Sequence, residues 1–194
     1  MEELIHFTNF TSYYGHIHLI SLHFDAFNAE INLIIDINLD DLNYTWEIKA
    51  EQVLDFKNLT QCSLNPFFRI KEYKEHSIIK GYTDELVSIQ LNENPEQNPI
   101  LLSKIHHFLK KETGLWMDLN QLNQRYLFIP ESIFSKFKQF CKTDQINYQI
   151  EDIQKPIASN LKLLIFGNEL VSSDFYNFKQ PYIVAKNFSA KRID

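Results

Sequence analysis

The first third of this 194-residue chain contains very little basic charge. The first Lys or Arg is Lys49, and residues 1–60 contain ten acidic residues against two basic ones, a net charge of −8. The complete chain has a net charge of −6, so the acidity is concentrated in that segment. A surface of this kind attracts basic partners and repels nucleic acid and anionic membranes.

Glycine is also scarce. The four glycines are Gly15, Gly81, Gly114 and Gly167. They are too far apart to form a phosphate-binding P-loop, a dinucleotide-binding fingerprint or a nucleophile elbow, all of which require clustered glycines. These three classes of enzyme site are therefore excluded, and the sequence contains no dense basic segment for binding nucleic acid.

Cysteine spacing and hydropathy argue against a secreted or membrane protein. Cys62 and Cys141 are far apart and lack the spacing of a zinc or disulfide framework, so we expect reduced, mostly buried thiols. The sequence begins MEELIHF, without the basic start and apolar run of a signal peptide. No apolar stretch approaches the roughly 18 residues of a membrane helix. We expect a cytoplasmic protein that has no cofactor and binds neither nucleic acid nor membranes.

The first part of the chain has the pattern of antiparallel strands. Residues 3–60 are expected to be β, because 16–24 and, more clearly, 30–40 alternate polar and apolar side chains, which indicates strands with one face in a core and one in water. Hydrophobic residues make up 44% of the chain, enough for a real core. The predicted strands are 16–24, 30–40, 44–50, 67–72, 76–80 and 85–91.

The second part mixes helices and strands. After the turn-rich segment 92–99, an amphipathic helix begins near Leu101 and ends at Gly114. The remaining elements are a strand at 125–129, a helix from Pro130 with Ile133, Phe134, Phe137, Phe140 and Cys141 on one face, strands at 146–150, 161–166 and 182–185, and a weaker helix at 168–178. This order predicts an α+β fold with an antiparallel β-rich N-terminal half, a helix, and a small α/β C-terminal unit. We expect a domain at 1–123 and a subdomain at 124–194 packed on it.

Residues 36–47 have the pattern of a calcium-binding loop. Side-chain oxygens fall at positions 1, 3, 5 and 12, but Asp41 occupies the position where such a loop needs glycine. Both flanks have strand rather than helix patterns, which favours a solvated hairpin over calcium. We therefore expect no metal there. Paired carboxylates in the same segment leave open a metal-dependent or acid/base enzyme as an alternative.

The histidines and tryptophans give weaker signals. On a regular strand, His16 and His18 lie on one side and His23 on the other, which is too few converging ligands for a metal. Cys141 lies on the apolar face of its helix, so a buried thiol is favoured over a nucleophile. Trp46 could face either side of its strand. If exposed beside Glu47, it would be a strong interface anchor.

Several segments together resemble bacterial cytosolic proteins of polymorphic-toxin loci. These segments are Trp46, Asn65-Pro66-Phe67-Phe68 with Tyr73, Ile78-Ile79-Lys80-Gly81, the helix from Leu101, and Gly114-Leu115-Trp116 followed by Asn123. Asn65 stands where that group has a histidine. The resemblance implies an immunity protein, which neutralises a cognate toxin such as a type VI secretion or Rhs-type effector, and it implies no catalytic residues.

The acidic segment and the resemblance together predict an immunity-type protein. It would occlude the active or substrate-binding surface of a toxin whose own surface is basic. The predicted partner-binding residues are Asp36, Asp40, Asp41, Tyr44, Trp46, Glu47, Glu51 and Asp55. A third hypothesis is an adaptor protein that uses the same acidic face on a basic partner other than a toxin.

Overall fold

The computed structural model describes residues 1–10, 15–39, 42–60, 69–113, 125–167 and 181–193. Of the described residues, 50% are in strands and 31% in helices, and the strands form one large and one smaller antiparallel sheet, which confirms the predicted α+β class. The chain forms two compact units. The first unit consists of residues 1–76 and 160–194, and the second, of residues 77–159, is inserted between those two segments.

This division differs from the predicted boundary between residues 123 and 124. The C-terminal strands that were expected to complete a small α/β subdomain belong instead to the same sheet as the N-terminal strands. Pairing between segments so distant in sequence leaves no local signal, so hydrophobic periodicity alone cannot reveal it.

The first unit contains one helix, α1, and a six-stranded sheet within the described residues. The strands, in sheet order, are β1 (Gly15–Asp25), β2 (Glu30–Leu39), β3 (Leu42–Lys57), β9 (Tyr182–Arg192), β8 (Lys162–Gly167) and β4 (Arg69–Tyr73). Every neighbouring pair is antiparallel. Helix α1 spans Glu2–Phe10.

Strict alternation along the central strands builds the core of this unit. Ile35 on β2 lies opposite Trp46 on β3, and Leu33 lies opposite Ile48, with all four side chains buried. Helix α1 covers this face: the Phe7 ring lies 5.8 Å from the Trp46 ring, centroid to centroid. Burial of this apolar area is the main stabilising term of the unit.

One predicted strand is a helix, and so is the start of the region 3–60, which was expected to be β although no particular strand was predicted before residue 16. Residues 2–10 form α1, whose nine residues are too few to be stable as an isolated helix. Packing of buried Leu4 into the core therefore stabilises it. Residues 77–83 form helix α2 (Ser77–Thr83), where the segment 76–80 was expected to be extended. An apolar run this short does not distinguish helix from strand.

The second unit is a three-stranded sheet with helices. Its elements are α2, β5 (Leu86–Leu91), a 3₁₀ turn (Pro95–Gln97), α3 (Pro99–Thr113), β6 (Tyr126–Pro130), α4 (Glu131–Asp144) and β7 (Tyr148–Gln154). The sheet order is β6-β5-β7. Helix α4 buries Ile133, Phe134, Phe137 and Cys141, which confirms the predicted apolar face apart from half-buried Phe140.

The other expectations have mixed outcomes. The strand predicted at 161–166 is present and nearly all buried, and the strand predicted at 182–185 extends to Arg192. The loop expected at 115–123 and the helix expected at 168–178 lie outside the described residues. In the part of the chain that the structure describes, no helix is long and apolar enough to span a membrane.

Candidate interaction surface

Strands β1, β2 and β3 share a polar face on the side opposite the core. We call it the outer face, and its side chains are exposed or half-buried. Its members are His18, Ser21, His23, Asp25, Glu30, Asn32, Ile34, Asp36, Asn38, Asn43, Thr45, Glu47, Lys49 and Glu51. The same alternation that buries Ile35 and Trp46 turns these side chains outward.

Three carboxylates form a row across the outer face. Asp25 lies opposite Glu30, and Glu30 lies opposite Glu51, so three adjacent strands each contribute one acid in register. We call these three residues the acidic row. Like charges directly opposite each other destabilise a sheet, so the row requires a compensating cation.

Lys49 supplies that cation. Its Nζ lies 3.0 Å from Glu51 Oε1 and 3.2 Å from Glu30 Oε2. The hydrogen bond to Glu51, followed by that to Glu30, raises the pKa of Lys49, so the ammonium form is favoured. One cation among three carboxylates leaves the row with a net negative charge.

Asp25 is held by the turn that follows it. Its Oδ1 accepts hydrogen bonds from the Phe27 N–H (2.9 Å) and the Asn28 N–H (3.2 Å), and its Oδ2 accepts one from Asn28 Nδ2 (2.8 Å). The side-chain bond from Asn28 is the largest cause of the lowered pKa of Asp25. The carboxylate therefore fixes the β1–β2 turn and retains its own charge.

Other predicted carboxylates also lie on this side of the sheet, each with a partner. Asp36 Oδ1 accepts a hydrogen bond from Thr45 Oγ1 at 2.6 Å. Glu47 Oε2 lies 2.6 Å from Lys191 Nζ, which β9 places opposite it. The face is thus less one-sided in charge than the sequence of residues 1–60 suggests, because the C-terminal strand brings Lys191 to it.

Asp55 lies farther along β3. A β-bulge between Val53 and Asp55 shifts the pairing with β9, and Asp55 lies opposite Val184. Its Oδ2 accepts a hydrogen bond from the Tyr182 hydroxyl at 2.8 Å. Asp55, which was predicted to bind the partner, is therefore also hydrogen-bonded within the sheet.

The two predicted aromatic residues face the core side. Trp46 is 1% exposed, so the exposed position on which its role as an interface anchor depended is not observed. The reason is strand alternation, because Glu47 points outward and its neighbour must point inward. Tyr44 is half-buried between the Phe7 ring (4.9 Å between centroids) and the Arg192 guanidinium (4.5 Å from its ring centroid).

The segment 36–47 is a hairpin, as predicted. Strands β2 and β3 pair from Glu30–Glu51 to Leu39–Leu42. The predicted residues Asp40 and Asp41 lie between them, outside the described residues. Where the chain is described, no group of three or more His, Cys, Asp or Glu residues is arranged to hold a metal ion.

A second β-bulge changes the predicted arrangement of the histidines. The register of β1 shifts between Leu19 and Ser21, so His18 lies opposite Asp36 and His23 lies opposite Asn32. Asp36 and Asn32 share a face of β2, which places both histidines on the outer face. The expectation that His23 faces the opposite side was wrong, because it assumed a regular strand.

An exposed group of apolar residues at the end of the sheet has no counterpart in the predictions. Phe24 and Phe56 are exposed but in contact, with ring centroids 5.1 Å apart. Phe27 in the β1–β2 turn is 96% exposed, and Leu54 on β3 is also exposed. We call these four residues the apolar end. The signal in the sequence was a phenylalanine inside a turn, Asp-Ala-Phe-Asn, where polar residues are usual.

The cysteine in the second unit is buried. Cys141 is a free thiol on the core side of α4, and burial raises its pKa to about 12. The thiolate needed for nucleophilic chemistry is therefore disfavoured at neutral pH. Cys62 lies outside the described residues.

Comparison with known proteins returned no relatives: no protein-family model, no curated protein and no solved structure matches the chain.

Proposed function

We propose that this chain is a cytoplasmic immunity-type protein that binds a cognate bacterial toxin and neutralises it by occluding its active or substrate-binding surface. The observation that carries this proposal is the acidic row of Asp25, Glu30 and Glu51, displayed on the outer face of a well-packed sheet. The resemblance to proteins of polymorphic-toxin loci, stated above, supplies the class of partner.

The sheet is a suitable support for such an interface. The outer face lies on the backs of strands whose other face is a packed core, so the backbone that carries its carboxylates is held in place before binding. Pre-organisation reduces the entropic cost of association. Toxins that act on nucleic acid have basic surfaces, and opposite charge accelerates encounter with an acidic inhibitor.

The first experiment is affinity purification of the tagged full-length chain from the organism that encodes it, with mass spectrometry of the co-eluting proteins. We expect a stoichiometric partner that is lethal when expressed alone and harmless when co-expressed with this chain. A stoichiometric but harmless partner would favour the adaptor hypothesis. Elution of the chain alone, with a tightly bound divalent ion, would favour the alternative of an enzyme that uses residues 36–47.

A charge reversal tests the binding face. Glu51→Lys should slow association with the partner several-fold and reduce the dependence of the association rate on salt, because an exposed rim charge acts mainly on encounter. Glu151→Lys is the matched control, since Glu151 is an exposed carboxylate on β7 of the second unit. Equal association rates for the two variants would exclude the acidic row from the interface.

A further inference from the structure

Phe27 is the most exposed of the large apolar side chains described in this structure. At 96% exposure, its ring is almost fully hydrated in the unbound protein. Single exposed apolar residues are common on protein surfaces. Phe27, however, lies in the same hairpin end as exposed Phe24, and exposed Leu54 and Phe56 follow on β3. Exposed aromatic residues within such a group are typical anchors of protein interfaces.

The turn that carries Phe27 is fixed on both sides. Asp25 accepts hydrogen bonds from the backbone N–H groups of Phe27 and Asn28. On the other side, the Val53 N–H donates to the Ala29 carbonyl at 2.8 Å, which attaches the turn to β3. Ala29 itself has a φ of 52°, in the left-handed region that non-glycine residues rarely adopt. The turn therefore holds a defined conformation that presents Phe27 to solvent.

The charge beside the turn specifies the chemistry of its partner. Two members of the acidic row, Asp25 and Glu30, flank the turn in the sequence, and the third, Glu51, lies opposite Glu30. The Glu51 side chain is 43% exposed and that of Glu30 is 29% exposed. Phe24 and Phe56 lie opposite buried Ile31 and Ile183, on the core side of the sheet, whereas the acidic row lies on the outer face. A surface that covers Phe27 together with the acidic row must offer an apolar recess for the ring and place positive charge next to that recess.

We propose that Phe27 is the anchor of the interface, and that it inserts into an apolar recess on a basic protein, with Lys or Arg side chains of that protein contacting the acidic row. This inference rests on the proposed function only for the identity of the partner, because the surface itself follows from exposure and charge.

The test is site-specific photocrosslinking in the full-length chain, expressed in the organism that encodes it. One variant carries p-benzoylphenylalanine in place of Phe27, and the control carries it in place of Ile100. Ile100 is 71% exposed and belongs to the second unit, so both positions present the probe to solvent. We expect a stoichiometric crosslink from position 27 and little or none from position 100.

The sequence of the crosslinked peptide and the affinities of two alanine variants test the proposed chemistry of the partner surface. Sequencing should place the crosslink in an apolar segment of the partner flanked by Lys or Arg. Phe27→Ala should then weaken binding of that purified partner about tenfold or more, the loss expected for an anchor residue, whereas Ile100→Ala should not. Unchanged thermal unfolding of Phe27→Ala will exclude a folding defect, because the ring makes little contact with the core.

The outcomes separate this inference from the proposed function. A toxic partner that co-purifies but does not crosslink from position 27 would overturn the anchor and leave the immunity function standing. A harmless partner that crosslinks through an apolar, Lys- or Arg-flanked segment would support the anchor and overturn the immunity function. Crosslinking only to a second copy of this chain, or to no protein, would overturn the anchor.

Discussion

Glu30 and Glu51 lie directly opposite each other on strands β2 and β3, and the Lys49 ammonium group contacts both carboxylates. Two acids in register would repel each other across the sheet without this cation. The arrangement keeps negative charge on the outer face without the full cost of the repulsion. The acidic row is therefore a candidate contact surface, and its place in the sheet depends on the Lys49 cation.

Removal of the shared cation should destabilise the first unit. Lys49→Met leaves Glu30 and Glu51 in register with no compensating charge, so its urea unfolding midpoint should fall below that of the wild type. The difference should shrink at high salt, because salt screens exposed charges. Lys155→Met, which removes an exposed lysine from the second unit, is the control. Equal midpoints for the two variants at low salt would contradict this role of Lys49.

Asp25 should give the first unit a specific dependence on pH. Its folded-state pKa is below the ordinary value of 3.8, so its contribution to stability is complete above that pH and is lost as the pH falls through the lowered pKa. Asp25→Ala should therefore be less stable than the wild type at neutral pH, and the gap should close in acid. Urea titrations from neutral to acidic pH measure this difference in stability, with exposed Glu151→Ala as the control. A gap independent of pH would show that the turn does not depend on the carboxylate charge.

Cys141 should be chemically inert in the folded protein. Because burial raises its pKa to about 12, almost no thiolate is present at neutral pH, and the thiol is also shielded from reagents. In a Cys62→Ser background, Ellman's reagent should react with Cys141 slowly in buffer and rapidly in denaturant. Rapid reaction in buffer would mean that α4 opens readily or that the thiol is accessible.

Phe137 should be a main determinant of stability in the second unit. It is fully buried, and its ring lies 5.6 Å from that of Phe108 and 5.7 Å from that of Tyr148, centroid to centroid. Phe137→Ala removes these contacts and leaves a cavity, which typically costs about 3–5 kcal/mol. Phe128→Ala, at a ring 43% exposed on β6, should cost much less. Chemical denaturation of both variants will test the difference, and similar losses would mean that the Phe137 site collapses around the cavity.

The fold was predictable where local periodicity is strong. Strand β2 alternates so regularly that its bounds, its core face and its hairpin with β3 all follow from the sequence. Helix α1 was not predictable in the same way. Its nine residues contain two phenylalanines and a threonine, which favour strands, and only packing against the sheet makes the helical conformation stable.

The candidate site was predictable in composition but not in arrangement. Alternation places Asp36, Glu47 and Glu51 on one face, but no local pattern shows that Lys191 lies opposite Glu47, because that contact joins distant segments. The bulge after Leu19 likewise reverses the face of every later residue on β1, including Asp25. The membership of Asp25 in the acidic row thus depends on one extra residue in a strand, which hydrophobic periodicity does not report.

The discontinuity of the first unit has a consequence for synthesis of the protein. Strand β9 lies between β3 and β8, so it joins β1, β2 and β3 to β8 and β4. As the chain leaves the ribosome, residues 77–159 can complete their own core while β3 still lacks its neighbour. The exposed edge of β3 is then open to pairing with other nascent chains until residues 182–192 emerge. Loss of β9 would divide the sheet into two separate parts, even though every residue of the acidic row would still be present.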